Sequence, residues 1–340
     1  METFEYPLGV LLFNRPHLAK HVLKSLKNSR LPLDEKRIVF HIDGFYGSKN
    51  EENFETDLTR KTQRLVESYF PSAHVIKQDS NVGIASAFYN VMDYIFANFD
   101  SQFAVFQEED VFLRPDYFHN MSIFLDAISK LDKVGAVSVN DVDHYQTIRN
   151  ELICPTFGTR EFAIHRDVFV QNKKIYGVYL ESLGDHYRKK DLVKVNQALE
   201  PFNLVLQSPF QDVFQHELLR MMGALHLRWN VPGRYDANFS NGESIFGTSI
   251  LQTLKMLISK TSKNLATPPL VSAEISLENF DLMELRAQEN EYWGSWFSAR
   301  SEPISKGNQD QLIRLRNRLK ISRINHLIEY LYVRKVRREF

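Results

Sequence analysis

The stretch FAVFQEED, Phe103 to Asp110, decides how this chain is read. Four apolar residues, Phe103, Ala104, Val105 and Phe106, suit a central strand covered on both faces. They run directly into Gln107 and three consecutive acids, Glu108, Glu109 and Asp110. Open α/β sheets bind their ligands at the carboxyl ends of their strands. Carboxylates delivered there suit a hard divalent cation, Mg2+ or Mn2+, that also holds a diphosphate. An acid triplet on a solvated helix face would be ordinary surface, so the apolar strand gives the motif its meaning.

Outward from that strand, short apolar runs at 8–13, 37–42, 74–78, 103–106 and 134–139 alternate with helical periodicity over 16–27, 53–69, 84–97 and 115–131. Strands joined by crossover helices predict an α/β fold with a mostly parallel sheet flanked by helices. Pro16 and Pro115 are expected in the first helical turns, where a missing N–H costs nothing. Beyond Asn140 the alternation gives way to a less regular stretch reaching about Gly247, with turn signals at Pro155, Pro201, Pro209 and Val231-Pro232-Gly233. The expected organisation is a catalytic domain over 1–247, with a donor half 1–140 and an acceptor half 141–247. A helix and loop extension over 248–310 and a basic amphipathic helix over 311–340 follow.

The 340 residues are 43% hydrophobic and 25% charged, with 14 Gly and 12 Pro, which excludes disorder and low-complexity repeats. Lys plus Arg (42) balances Asp plus Glu (42), so no overall field draws the chain to nucleic acid. The balance hides a division: residues 311–340 hold nine Lys/Arg against two Glu. Leu312, Leu315, Leu319, Ile324, Leu327, Ile328 and Leu331 recur among those cations at helical spacing. Such a helix suits an anionic membrane surface, and equally a packed helix, a dimer contact or a nucleic-acid patch. One cysteine, Cys154, excludes an internal disulfide and a cysteine zinc site, so a reducing compartment is expected. The apolar run at 8–13 has no basic segment before it, which argues against a signal peptide, and no 18-residue apolar stretch occurs. A cytoplasmic protein, peripheral on the membrane if the basic helix docks there, is the expectation. Rossmann glycine fingerprints, P-loops, zincin helices and the G-x-S-x-G elbow are all absent.

Two further strand ends offer partners for the acids. Arg15, in Asn14-Arg15-Pro16, supplies a cation for phosphate or base, or an ion pair to a neighbouring element. Asp43, in Asp43-Gly44, can accept from a base N–H or a ribose hydroxyl, or simply form a turn. Asn81-Val82-Gly83 leads into a helix whose first N–H groups suit phosphate, with an N-cap as the other reading of Asn81.

The order of these elements resembles the GT-A fold of nucleotide-diphospho-sugar transferases. PLGVLLFNRPHLAKHVLKSL is similar to the first strand and helix of family 2 glycosyltransferases and of the N-acetylglucosaminyltransferase I group, and FHIDG to their second strand. FAVFQEEDVFLRPDYF resembles the Glu-Asp-Asp strand of the latter group. LDKVGAVSVND, PTFGTREFAIHRDVF and SPFQDVFQHELLR resemble successive downstream segments.

The resemblance implies an inverting, metal-dependent transfer of a sugar from a nucleotide-diphosphate donor, with UDP expected, to a hydroxyl of a glycan or lipid-linked acceptor in surface polysaccharide synthesis. It puts the metal on Asp110 and the nucleotide on Arg15, Asp43, Gly83, Glu108 and Glu109. Glu109 stands in place of Asp, and Asp43 is implied to contact uracil. It makes Asp212 the catalytic base although Gln211 stands where an acid is usual, with Glu217 and Glu243 as reserves. For Asp212 an ordinary helix N-terminal acid is the other reading. Trp229, Tyr235, Trp293 and Trp296 are expected either to stack on sugar rings or to pack in the core. Competing readings are a sugar-phosphate nucleotidyltransferase, which would want a glycine-rich opening loop, and a non-catalytic scaffold on the same fold.

Overall fold

Strand β1 (Leu8–Leu12) and strand β2 (Ile38–Ile42) are buried at every residue, as parallel strands covered on both faces must be. They pair in parallel, Leu8 opposite Ile38 and Leu12 opposite Ile42. On their flanks β2 takes β3 (His74–Lys77), and β1 takes β4 (Phe103–Glu108), both in parallel. This computed structural model describes residues 2–46, 56–129, 131, 133–141, 153–155, 161–184 and 191–236. The expected extension 248–310, the basic helix 311–340, Glu243, Trp293 and Trp296 lie outside the described residues. Up to Tyr235 the described residues belong to the first of two compact units, 1–235 with 272–281.

The helices cover the sheet for reasons visible in their sequences. Helix α1 (Pro16–Lys27) starts on a proline, faces Leu18, Val22, Leu23 and Leu26 inward, and carries Lys24 and Lys27 in its last turn, where cations suit the negative end of the helix dipole. Helix α2 (Thr56–Tyr69) packs beside it. Helix α3 (Gly83–Asn98) buries Phe88, Val91, Met92 and Ile95 on the opposite face. Gly9 permits that packing, because a Cβ there would lie 2.5 Å from Val91 Cγ1 and 2.9 Å from the Phe106 ring.

The remaining elements are β5 (Val111–Leu113), α4 (Tyr117–Ile128), β6 (Val134–Asp141), β7 (Ile153–Pro155) and β8 (Glu161–His165). After them come α5 (Arg166–Val170), α6 (Lys173–Leu183), α7 (Leu192–Leu199), α8 (Gln211–Met221) and β9 (Leu225–Asp236). The strand order among the described residues is β3-β2-β1-β4-β8-β6-β9-β5, with β7 alongside β9. β8 runs antiparallel between β4 and β6, while β6 and β9 are parallel. The class is α/β, a mostly parallel sheet flanked by helices. No helix among the described residues is long and apolar enough to cross a membrane.

Several expectations change in detail. The central strand continues past Phe106 to Glu108 and is followed by β5, whose three residues are too short to carry periodicity. Pro115 precedes the N-cap residue Asp116 of α4 instead of opening the helix. The acceptor half is more regular than its turn signals suggest, since four α-helices, one short 3-10 helix and three strands occur among its described residues. Pro232 is not a turn: it lies within β9 at a register shift against Asn140, a place where a strand tolerates a residue without an N–H.

Candidate functional site at the carboxyl end of β4

The acids leave the sheet where expected. β1 and β4 pair as far as Leu11 opposite Glu108, so the residues beyond emerge side by side. Glu109 is buried and bridges back to the first strand: Phe13 N–H donates to its Oε2 at 2.9 Å, and Arg15 Nε donates to its Oε1. Burial pushes the Glu109 carboxyl above its usual range, and the Arg15 guanidinium and the Phe13 amide oppose that rise.

Asp110 is also buried, at 6% exposure, and its Oδ1 has no hydrogen-bond partner. A buried carboxylate oxygen without a donor is costly unless something else meets its charge. Among the described residues no group of three or more His, Cys, Asp or Glu side chains could hold a metal ion by itself. Asp110 Oδ1 is thus a hard, unsatisfied oxygen of the kind that suits a divalent cation as one ligand among others.

Asp43 ends β2 on the same side and feels the charge of Glu109. Its Oδ1 accepts from Gly44 N–H at 2.9 Å and Val82 N–H at 2.8 Å, and its Oδ2 from Asn81 Nδ2 at 2.9 Å and Gly83 N–H at 3.1 Å. Burial is the main cause that raises its pKa, to about 6, and the three backbone donors hold it from rising further. The carboxylate thus satisfies the first amides of α3, so the anion at that helix N-terminus is supplied by the chain itself. Gly83 takes φ +77° there, a conformation that glycine adopts without strain.

Arg15, Asp43, Glu109 and Asp110 form one cluster, Gly83 joins it through Asp43, and Glu108 closes β4 beside it. Asp212 is not tied into this network by these bonds. It stands in the first turn of α8, where its Oδ1 accepts from Val213 N–H at 3.0 Å. Gln211 turns inward and donates to Gln215 at 2.7 Å. Of the reserve bases, Glu217 is shifted upward by burial against its partner Arg220. Trp229 is core, 2% exposed and set against Phe124.

Three polar residues beside the cluster behave in ways the sequence did not indicate. Asn81 caps no helix but holds both Asp43 and the Gly44 carbonyl. Gln107 crosses the acid turn, donating to the Val111 carbonyl at 2.7 Å. Asn14, 2% exposed, has neither side-chain polar atom partnered. A polar residue at the end of an apolar run was the available signal for Asn14 and Gln107; Asn81 stands out in the sequence as an N-cap candidate, and its side chain holds Asp43 instead.

No protein-family model and no curated protein matches this sequence. Solved structures similar to it include S. aureus TarS 1–349 in complex with UDP-GlcNAc, 11% identical over 100% of this chain and 92% of that one, with a TM-score of 0.49. A mannosyltransferase from Pyrobaculum calidifontis in complex with GDP-Man and Mn2+ is 12% identical over 98% and 87%, with a TM-score of 0.40. Glucosyl-3-phosphoglycerate synthase from Mycobacterium tuberculosis, with Mn2+, UDP and glucosyl-3-phosphoglycerate, is 12% identical over 76% and 80%, with a TM-score of 0.35.

Proposed function

We propose that the chain is a metal-dependent, inverting GT-A glycosyltransferase that takes a sugar from a nucleotide-diphosphate donor, UDP first, to a hydroxyl of a glycan or lipid-linked acceptor. The observation that carries this reading is Asp110: a buried carboxylate oxygen without a donor, at the carboxyl end of a central strand, beside the Arg15–Glu109 pair. Asp110 would hold Mn2+ or Mg2+, which when bound would supply positive charge to a leaving diphosphate. Arg15, fixed by Glu109, presents a guanidinium to the phosphates. Glu108, Asp43 and Gly83 build the edge of the nucleotide pocket.

Asp212 would take the proton from the acceptor hydroxyl as that oxygen attacks the anomeric carbon, so a single base suffices and the configuration inverts. The basic segment 311–340 would bring the enzyme to an anionic leaflet, where vesicle sedimentation of the full chain against a chain ending at residue 310 checks it. The test of the function is release of UDP from UDP-sugars in the presence of Mn2+ with a panel of hydroxyl acceptors. Turnover that falls by roughly 100-fold or more in Asp212→Asn, with UDP affinity intact, supports the reading. Full activity in that variant would remove Asp212 from the chemistry.

A further inference from the structure

The four bonds to Asp43 have a consequence for how a nucleotide base is met. An ionised carboxylate offers about four acceptor sites, and Gly44, Asn81, Val82 and Gly83 already occupy that many on Asp43. A base N–H would have to displace one of the chain's own donors from a buried group. What the Asp43 network does hold is the chain just beyond it. Asn81, whose side chain donates to Asp43, also donates its backbone N–H to the Tyr46 carbonyl at 2.7 Å, and Tyr46 bridges Ser80.

Tyr46 is distinctive in another respect. Among the described residues it is the one aromatic side chain in the set of exposed large apolar groups, at 54% exposure. Its ring sits 3.9 Å, centroid to centroid, from that of Phe45, which is itself buried. A flat ring left in solvent, braced from one side and clamped through its backbone at the carboxyl end of β2, is a preformed stacking surface. Gly44 keeps this corner tight, since a Cβ there would stand 2.5 Å from the Ser80 carbonyl carbon.

Resting on the donor site proposed above, we propose that Tyr46 is the platform on which the nucleobase of a nucleoside diphosphate stacks, while Asp43 holds that platform and does not read the base. Every base has a π-face, so stacking of this kind gives affinity with little base selectivity. The chain is accordingly expected to bind UDP, CDP and GDP within about tenfold of one another, a range that corresponds to a difference of about 1.4 kcal/mol.

The test is calorimetric titration of the full chain, with Mn2+, against UDP, CDP, GDP and inorganic pyrophosphate, on wild type, Tyr46→Ala and Tyr46→Phe. Tyr46→Ala is expected to weaken all three nucleotides by roughly 5- to 150-fold and to leave pyrophosphate unchanged. Tyr46→Phe, which keeps the ring, should match wild type. In Tyr46→Trp, each nucleotide should quench the new indole fluorescence and pyrophosphate should not. Nucleotide affinities unaltered by Tyr46→Ala, or pyrophosphate weakened as much as the nucleotides, would overturn the platform. Strong preference for UDP that disappears in Asp43→Asn would overturn the role given to Asp43. Failure of the wild type to bind any nucleoside diphosphate would overturn the donor site itself, and the platform with it.

Discussion

Glu109 binds both sides of Arg15's own neighbourhood: one carboxylate oxygen takes the Arg15 guanidinium and the other takes the backbone N–H of Phe13. The acid turn after β4 is thereby riveted to the end of β1, and the cation is aimed by an anion the ligand does not have to supply. Replacing Glu109 with Gln keeps the shape and removes the charge. Because each carboxylate oxygen meets a donor, Glu109→Gln must turn its NH2 toward either the Phe13 N–H or the Arg15 guanidinium, and the unsatisfied donor should cost about 1–3 kcal/mol in urea unfolding. The substitution should weaken nucleotide binding as well, since Arg15 loses its brace.

The neighbouring acid should behave oppositely. Asp110 Oδ1 has no hydrogen-bond partner to lose. Asp110→Asn is therefore expected to leave unfolding free energy within about 1 kcal/mol of wild type, or to raise it, while metal-dependent binding disappears. A large loss of stability would mean that the carboxylate is structural.

His41 supplies a pH prediction. It is fully buried in β2, both ring nitrogens lack partners, and burial lowers its pKa to about 4 from 6.5. A base whose folded pKa is depressed contributes stability that is complete above the unfolded pKa and is lost as pH falls through the folded one. Between pH 6.5 and 4 the wild type should lose up to about 3 kcal/mol that a His41→Leu variant does not lose. Asp43 works against this over part of the same range. Its raised pKa makes its contribution greatest below the unfolded carboxylate value, and that contribution falls as pH rises through about 6. The comparison with His41→Leu cancels it, and parallel stability profiles for the two proteins would refute the assignment.

Gly44→Ala tests the corner that carries Tyr46. The added methyl would meet backbone atoms of Asp79 and Ser80 at 2.5–2.6 Å, which cannot rotate away. A loss of about 1–3 kcal/mol is expected, with base-containing nucleotides weakened more than pyrophosphate. An unaltered melting temperature would show that the loop gives way freely.

Periodicity carried the architecture well where burial was continuous. Leu8–Leu12, Ile38–Ile42 and Pro16–Lys27 lie where the apolar runs put them, because a doubly covered strand or an amphipathic helix writes its burial directly into the chain. β5 and β8 were not legible. β5 has only three residues, and β8, EFAIH, enters the sheet antiparallel through contacts with β4 and β6 that lie far away in sequence. In the site, the acid triplet and Arg15 could be picked out because charge at the end of an apolar run is conspicuous. The partner choice was not: nothing in Asp43-Gly44 reveals that its carboxylate is consumed by amides some forty residues on, or that Asn81 links it to Tyr46.

The central claim is that Asp110 and a divalent cation together hold a nucleoside diphosphate. Calorimetric titration of UDP into the full chain, with Mn2+ and then with chelator, on wild type and Asp110→Asn, tests it most directly. The account predicts binding to the wild type with Mn2+ that chelator removes, and no metal-dependent binding to Asp110→Asn. Equal UDP affinity for the two proteins, with and without the metal, would contradict it.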